Sequence, residues 1–327
     1  MAAIPPEVPD GIRIATRIPA EPTDVDFQLA SRLGVEYVYI WLNEDQLDVD
    51  TLTSIRTRAE SHGLTLFNAA SEGICKNPKI HLALPGRDEA IEAFATFIRN
   101  LAAAGVHTTT FTWEPARVRS SESVVTRGGA IARAVNMDVL QQEPSSHEGD
   151  YSEDDIWRNF EYFMERIIPV AEEVGVRLAL HPNDPPVPSI GGIPCLIHNM
   201  ACHQRAFEIC DSDYLGMEFC TGCWLEGGQN FGEIFEGIRH FVERGKVFIV
   251  HFRNVSSPLP HFAECFIDDG YMDMHKLMKA FQAAGYRGTI VPDHVPQMDY
   301  NVHEDDVVAT AHAIGYMKAL LEQAQSQ

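Results

Sequence analysis

Five phrases spread along the chain, LGVEYVYI, HGLTLFNA, AGVHTTTF, VGVRLALH and AGYRGTIV, share one local plan. In each, a segment of helical period stops at a glycine and a β-branched or aromatic run follows almost at once. Glycine takes the left-handed turn that closes a helix without a steric penalty. A chain that repeats helix, glycine and strand is confined to βα units, and so to a parallel sheet.

Reading the apolar runs in order predicts strands at 12–15, 37–41, 64–68, 107–112, 177–181, 214–220, 247–251 and 288–293. Helical periods follow them at 24–33, 49–62, 87–104, 152–174, 200–210, 230–244, 274–284 and 304–323. Eight strand–helix pairs predict an α/β fold, a (β/α)8 TIM barrel, as a single domain over residues 1–327. A chain of this length with 45% hydrophobic residues suffices to bury one such core. Three connections are longer than a barrel needs, at about 69–86, 113–151 and 252–271. Such insertions follow strands and build the catalytic face. The 113–151 loop carries Arg117, Arg119, Arg127 and Arg133, and reads either as a lid over a substrate or as ordinary surface.

Charge narrows the partners. A formal net charge of −22, from 47 acidic and 25 basic residues, repels phosphate backbones and anionic membrane surfaces. Nucleic acid and membrane are therefore not expected as partners, and an anionic substrate needs a local basic group. Seven cysteines, an odd number, together with a start (MAAIPPEVPDG) lacking a basic or apolar signal, predict a reduced, cytoplasmic protein. No run approaches the ~20 apolar residues of a membrane span. Association into a homo-oligomer is left open.

Chemistry gathers where four predicted strands end. His181, Cys220, His251 and Asp293 each follow an apolar run: LAL, MEF, FIV and IVP. In a barrel, strand ends ring one axis, so residues over a hundred apart can meet. Imidazoles, a thiolate and a carboxylate suit a borderline divalent cation, Mn²⁺, Fe²⁺, Co²⁺ or Zn²⁺, rather than calcium or magnesium. A single His or Cys at a strand end is more often a packed core residue; four on consecutive strands point to a shared metal. Cys220 and Cys223 form a CxxC without a second pair, so Cys220 reads as the ligand and Cys223 as a bystander.

Supporting residues follow the same logic. Asn183 and Asp184 stand after His181, and Arg253 and Asn254 after His251, placed to orient ligands. Arg253 is alternatively a fork for a substrate carboxylate. Glu264, Asp268 and Asp269 read as a solvated acidic loop or as the source of a base. His294, beside Asp293, is the leading acid/base candidate. Trp41, Trp113 and Trp224 read as core aromatics that alternatively stack on a sugar. There is no GxGxxG, Walker-type GK[ST] or GxSxG motif, so neither a nucleotide cofactor nor a serine nucleophile is indicated.

LPGRDEAIE with FIRNLAAAGV (84–106), LALHPNDPP (178–186), GMEFCTGC (216–223), VHFRNV (250–255), GYMDM (270–274), VPDH (291–294) and AIGYMKAL (313–320) together resemble the mannonate dehydratase family. The resemblance runs, with gaps, from about residue 64 onward. It implies a xylose-isomerase-like barrel and a divalent metal, Mn²⁺ or Fe²⁺ first, on His181, Cys220, His251 and Asp293. It also implies dehydration of D-mannonate to 2-keto-3-deoxygluconate. The chain departs from the family in places. Val295 and Pro296 stand where the family carries Gly-Arg. Val307 and Val308 stand near its Gly-Tyr, with Tyr300 out of register. FTWEP (111–115) replaces its Asn-Phe-Met-Pro, and its aromatic N-terminal motif is missing. These departures imply a relative with an altered substrate.

The expected function is thus a metal-dependent carbon–oxygen lyase, a dehydratase of D-mannonate or a related sugar acid, working through proton abstraction and a metal-stabilised enediolate. Catalysis is assigned to His294, Asp293 and Arg253. A sugar isomerase or epimerase, or a keto-glycoside-eliminating lyase, would use the same site. A sugar-binding barrel without turnover is the reading from a different class.

Overall fold

A computed structural model describes residues 9–116, 119–298 and 307–326. The eight predicted strands form: β1 Ile12–Ile18, β2 Tyr37–Trp41, β3 Thr65–Ala70, β4 Thr108–Thr112, β5 Arg177–His181, β6 Leu215–Cys220, β7 Val247–Phe252 and β8 Gly288–Pro292. They alternate with α1 Asp24–Arg32, α2 Val49–Ser61, α3 Arg87–Ala103, α4 Glu153–Val174, α5 Met200–Ile209, α6 Ile234–Glu243, α7 Met274–Ala283 and α8 Val307–Gln325. The physical cause is plain in α4. Ser152 caps its first turn through Asp155 N, its buried side chains recur at helical spacing, and Gly175 ends it at φ 72°. Two residues later β5 begins.

All strand pairings in the eight-stranded sheet are parallel, in the order β3-β2-β1-β8-β7-β6-β5-β4. Helices cover one face and the barrel interior the other, so a strand such as β6 is buried at every residue. That explains why the strands read as continuous apolar runs rather than alternating ones. The two end strands, β3 and β4, lie beside each other: Asn68 Nδ2 on β3 donates to Thr110 Oγ1 on β4 at 2.9 Å, and Cys75 Sγ, in the short helix just after β3, lies 3.7 Å from Thr109 Oγ1. The barrel is therefore closed by its lining, not by a ladder.

Above the strand ends, two of the long loops are knitted together. A four-stranded antiparallel sheet joins Glu122–Val125 and Ile131–Asn136, from the loop after β4, to Asn254–Val255 and His261–Cys265, from the loop after β7. Ile131 also bridges Gln297 beyond β8. The 113–151 loop is neither a free lid nor plain surface; its described part is one half of this cap. No helix of the described chain is long and apolar enough to cross a membrane.

Candidate metal centre

Parallel register levels the ends of β5 to β8. Cys220 pairs with His251 across β6 and β7, His251 with Val291 across β7 and β8, and His181 with Thr112 across β4 and β5. Asp293 stands two residues beyond Val291. One ligand atom from each of His181, Cys220 and His251, all buried, lies within 4.8 Å of the other two. Asp293 borders this trio, with Oδ2 3.4 Å from His251 Nδ1 and 3.9 Å from Cys220 Sγ.

The anionic donors set the charges of the others: the thiolate and carboxylates hold protons on the two imidazoles, and an arriving cation would displace those protons. Burial alone would raise the Cys220 thiol, but its hydrogen bond with Cys223 and the Arg253 guanidinium outweigh it and hold the thiol well below its ordinary range. Burial likewise works against charge on the two imidazoles. Cys220 overrides it at His181, which is pushed up to about 9, and Glu218 and Asp293 override it at His251, which is held well above the usual range. Burial opposes ionisation of Asp293, yet His294, His251 and Arg253 keep its carboxyl well below the usual carboxylate range. Among the described residues, neither ring nitrogen of His251 has an aligned hydrogen-bond partner, although Glu218 Oε1 is 2.7 Å from Nε2. An ionised thiol and carboxylate beside buried imidazoles form a donor set that fits a borderline divalent cation.

Arg253 does not face a substrate. Its side chain is 1% exposed, and its nitrogens donate to Asp293 Oδ2, Glu226 Oε1, Glu264 Oε1 and Asp184 Oδ2. All of its donors are taken by the protein, so the carboxylate-fork assignment gives way to a positioning role behind Asp293. Arg133, from the cap sheet, donates to Asp184 and Glu264 from the other side. Four carboxylates thus share two guanidiniums. Burial and the Asp184 charge push the Glu226 carboxyl up to about 8, relieving the excess. Gly222 makes the close approach feasible, because a Cβ there would lie 2.3 Å from Arg253 Cζ.

His294 adopts φ 45°, a left-handed conformation uncommon outside glycine. Its Nδ1 lies 2.7 Å from Glu264 Oε1 and its Nε2 3.6 Å from Asp293 Oδ1. Burial works against its charge, but Asp293 and Glu264 raise its pKa. The three acids of the 252–271 loop therefore divide. Glu264 belongs to the buried network, whereas Asp268 and Asp269 pair with Arg127 at the surface. Asn183 and Asn254 brace their own loops, the first through Trp113 O and Ile197 N, the second through Ile267 O and Met272 O. Cys223, buried behind Cys220, takes a contact of 3.8 Å from Arg253 Nη2.

His181, His251, Asp293 and His294 open onto a cavity of about 970 Å³. Its outer wall comes from the end of β1 and the loops after β1, β2 and β3, with Arg17 on β1 and Lys76 after β3 as its basic side chains. Trp41 lines it, with Lys76 Nζ 4.8 Å from its ring centre. Trp113 and Trp224 are core residues instead; Trp224 stacks on Phe219 at 4.8 Å. Glu218, Glu114 and Tyr39 also line the cavity, and sequence reading did not single them out. For Glu218 a signal existed: it stands two residues before Cys220, and so on the same face of β6. Arg117 and Tyr300 lie outside the described residues.

Comparison with known proteins gives one direction. A family model for D-mannonate dehydratase (UxuA) matches residues 132–326, a stretch that starts beyond the loops of the outer wall. Mannonate dehydratase 2 of Halalkalibacterium halodurans is 30% identical over 277 residues, covering 75% of this chain and 78% of that one. The crystal structure of mannonate dehydratase from Streptococcus suis serotype 2 superposes with a TM-score of 0.86 at 23% identity, covering 96% of this chain and 95% of that one. A xylose isomerase domain protein from Planctomyces limnophilus follows at 0.66 and 11%, covering 97% and 100%.

Proposed function

Because this chain belongs to the D-mannonate dehydratase family, a family of metal-dependent sugar-acid dehydratases, we propose that it removes water from D-mannonate or a close aldonate at the strand-end site. The observation that carries this reading is the convergence of His181, Cys220 and His251 within 4.8 Å, with Asp293 alongside, where His181, His251 and Asp293 line one large cavity.

Those four residues would hold a divalent cation, Mn²⁺ or Fe²⁺ first and Co²⁺ or Zn²⁺ next. When bound it supplies positive charge to the anion formed as a proton leaves the carbon next to the carboxylate. The protein's own groups do the rest. Arg253 holds Asp293 through Nε at 3.0 Å and keeps its carboxylate aimed. Glu264 anchors His294 Nδ1, leaving Nε2 on the cavity side of Asp293. His294 then takes the α-proton at Nε2, keeps it in the field of Asp293 and Glu264, and returns it to the β-hydroxyl as that group departs. His294 thus passes the α-proton to the departing hydroxyl as water and leaves an enol; the enol's C2 hydroxyl then loses its proton and C3 gains one, giving an α-keto acid with one hydroxyl fewer. Arg17 and Lys76 would offset the protein's negative field where an anionic substrate enters.

The test is to load the purified protein with Mn²⁺, add D-mannonate and other aldonates, and follow α-keto acid. Product from wild type, absent in Cys220→Ala and His251→Ala along with bound metal, supports the reading. Conversion of a ketose to its epimer with no keto acid would replace it by the isomerase reading.

A further inference from the structure

Glu218 is the least expected group in the barrel. It sits inside an otherwise apolar strand, its residue is 1% exposed, and its Oε2 has no hydrogen-bond partner among the described residues. A buried carboxylate with an idle oxygen is costly to maintain, and an apolar residue of the same size would pack more favourably. Strand alternation turns it to the interior on the same face as Cys220, one layer deeper. There its Oε1 stands 2.7 Å from His251 Nε2. The other ring nitrogen, Nδ1, faces Asp293 Oδ2 at 3.4 Å. His251 is therefore bracketed by two carboxylates, one on each nitrogen.

A neutral imidazole ligates through one nitrogen and carries its proton on the other, and the partner of the protonated nitrogen decides which is which. We propose that Glu218 is a positioning residue that accepts the His251 Nε2 proton, fixing the tautomer and ring orientation that present Nδ1 to a cation beside Asp293 and Cys220. The inference rests on the metal reading above and adds a residue to it. Glu218 Oε1 is within hydrogen-bond reach of His251 Nε2 at 2.7 Å, with the N–H off line.

The experiment strips the full-length protein of metal and titrates it with Mn²⁺ against a competing chelator, for wild type, Glu218→Gln, Glu218→Met and Glu218→Ala. Visible spectra of the Co²⁺-loaded forms are recorded in parallel. Gln keeps an oxygen that accepts Nε2–H, whereas Met and Ala do not. The expected result is Mn²⁺ binding weakened about 10- to 100-fold in Met and Ala. Their cobalt bands should be altered, and Gln should recover most of the affinity and the wild-type spectrum. Met keeps the volume and Ala relieves any crowding, so whichever variant folds by circular dichroism serves. Binding within twofold of wild type and an unchanged spectrum in Met or Ala overturns the proposal. So does a Gln variant as weak as the other two, which would make charge rather than orientation the cause. A wild type that takes up neither ion removes the metal reading itself.

Discussion

Replacing Arg253 with methionine tests the charge network behind the site. The substitution keeps most of the side-chain volume but removes the donors to Asp184, Glu226, Glu264 and Asp293. Arg133 then serves the cluster alone, and four buried carboxylates face one guanidinium. Breaking a buried pair from one side typically costs about 3–5 kcal/mol, because it leaves uncompensated charge. For 327 residues at roughly 2.1 cal/mol/K each, the unfolding entropy is about 0.7 kcal/mol/K, so the midpoint should fall by about 4–7 °C. Differential scanning calorimetry of the metal-free protein at about pH 9, above the Glu226 value of about 8 so that all four carboxylates are ionised, measures this. The cycle with Glu226→Gln sharpens it. In that background one carboxylate is already neutral, and Arg253→Met should cost at least about 0.5 kcal/mol less. A fall below about 1 °C, or strict additivity of the two changes, would refute the idea that Arg253 is retained to neutralise this cluster.

Other outcomes follow from the same geometry. Gly222→Ala places a methyl 2.3 Å from Arg253 Cζ and should displace the guanidinium, giving a stability loss in the direction of Arg253→Met by thermal unfolding. Glu226 titrates at about 8 when folded against about 4.5 as a free carboxyl. Between those values the unfolded chain has released a proton that the native state keeps, so this group's contribution falls as pH rises and levels off above about 8. Glu226→Gln removes that slope, and its midpoint relative to wild type should climb from about pH 5 to 8. Mn²⁺ at a hundred times its dissociation constant should add about 2.7 kcal/mol of stability, seen as a midpoint rise of about 4 °C that chelator reverses. His294→Asn should lower kcat by about 10²- to 10⁴-fold with Mn²⁺ affinity little changed, read from keto acid formation and metal titration together.

Much of this was legible in the sequence because barrel strands are buried on both faces, so apolar runs and their ends mark the architecture directly. His181, Cys220, His251 and Asp293 stood out as polar residues terminating such runs. What escaped notice depends on long-range pairing. The cap sheet joins segments more than a hundred residues apart, and ESVV or IARAVN carries no pattern that announces its partner. Arg253 was visible as a neighbour of His251, but only packing shows its fork turned toward Glu226, Glu264 and Asp184. Glu218 was hidden by the same apolar run that revealed its strand.

The cavity wall divides unevenly around the barrel. Strands five to eight hold the ligand candidates and are locked by the cap and its buried charges, while the loops after the first three strands shape the entrance. On the proposed reading, binding preference and bond-breaking chemistry would be carried by separate portions of one chain. Loops 19–23 and 42–48 would then be the parts open to exchange, whereas 71–76 is tied to the barrel's closure through Cys75. A lineage with this layout can change what it accepts faster than what it does.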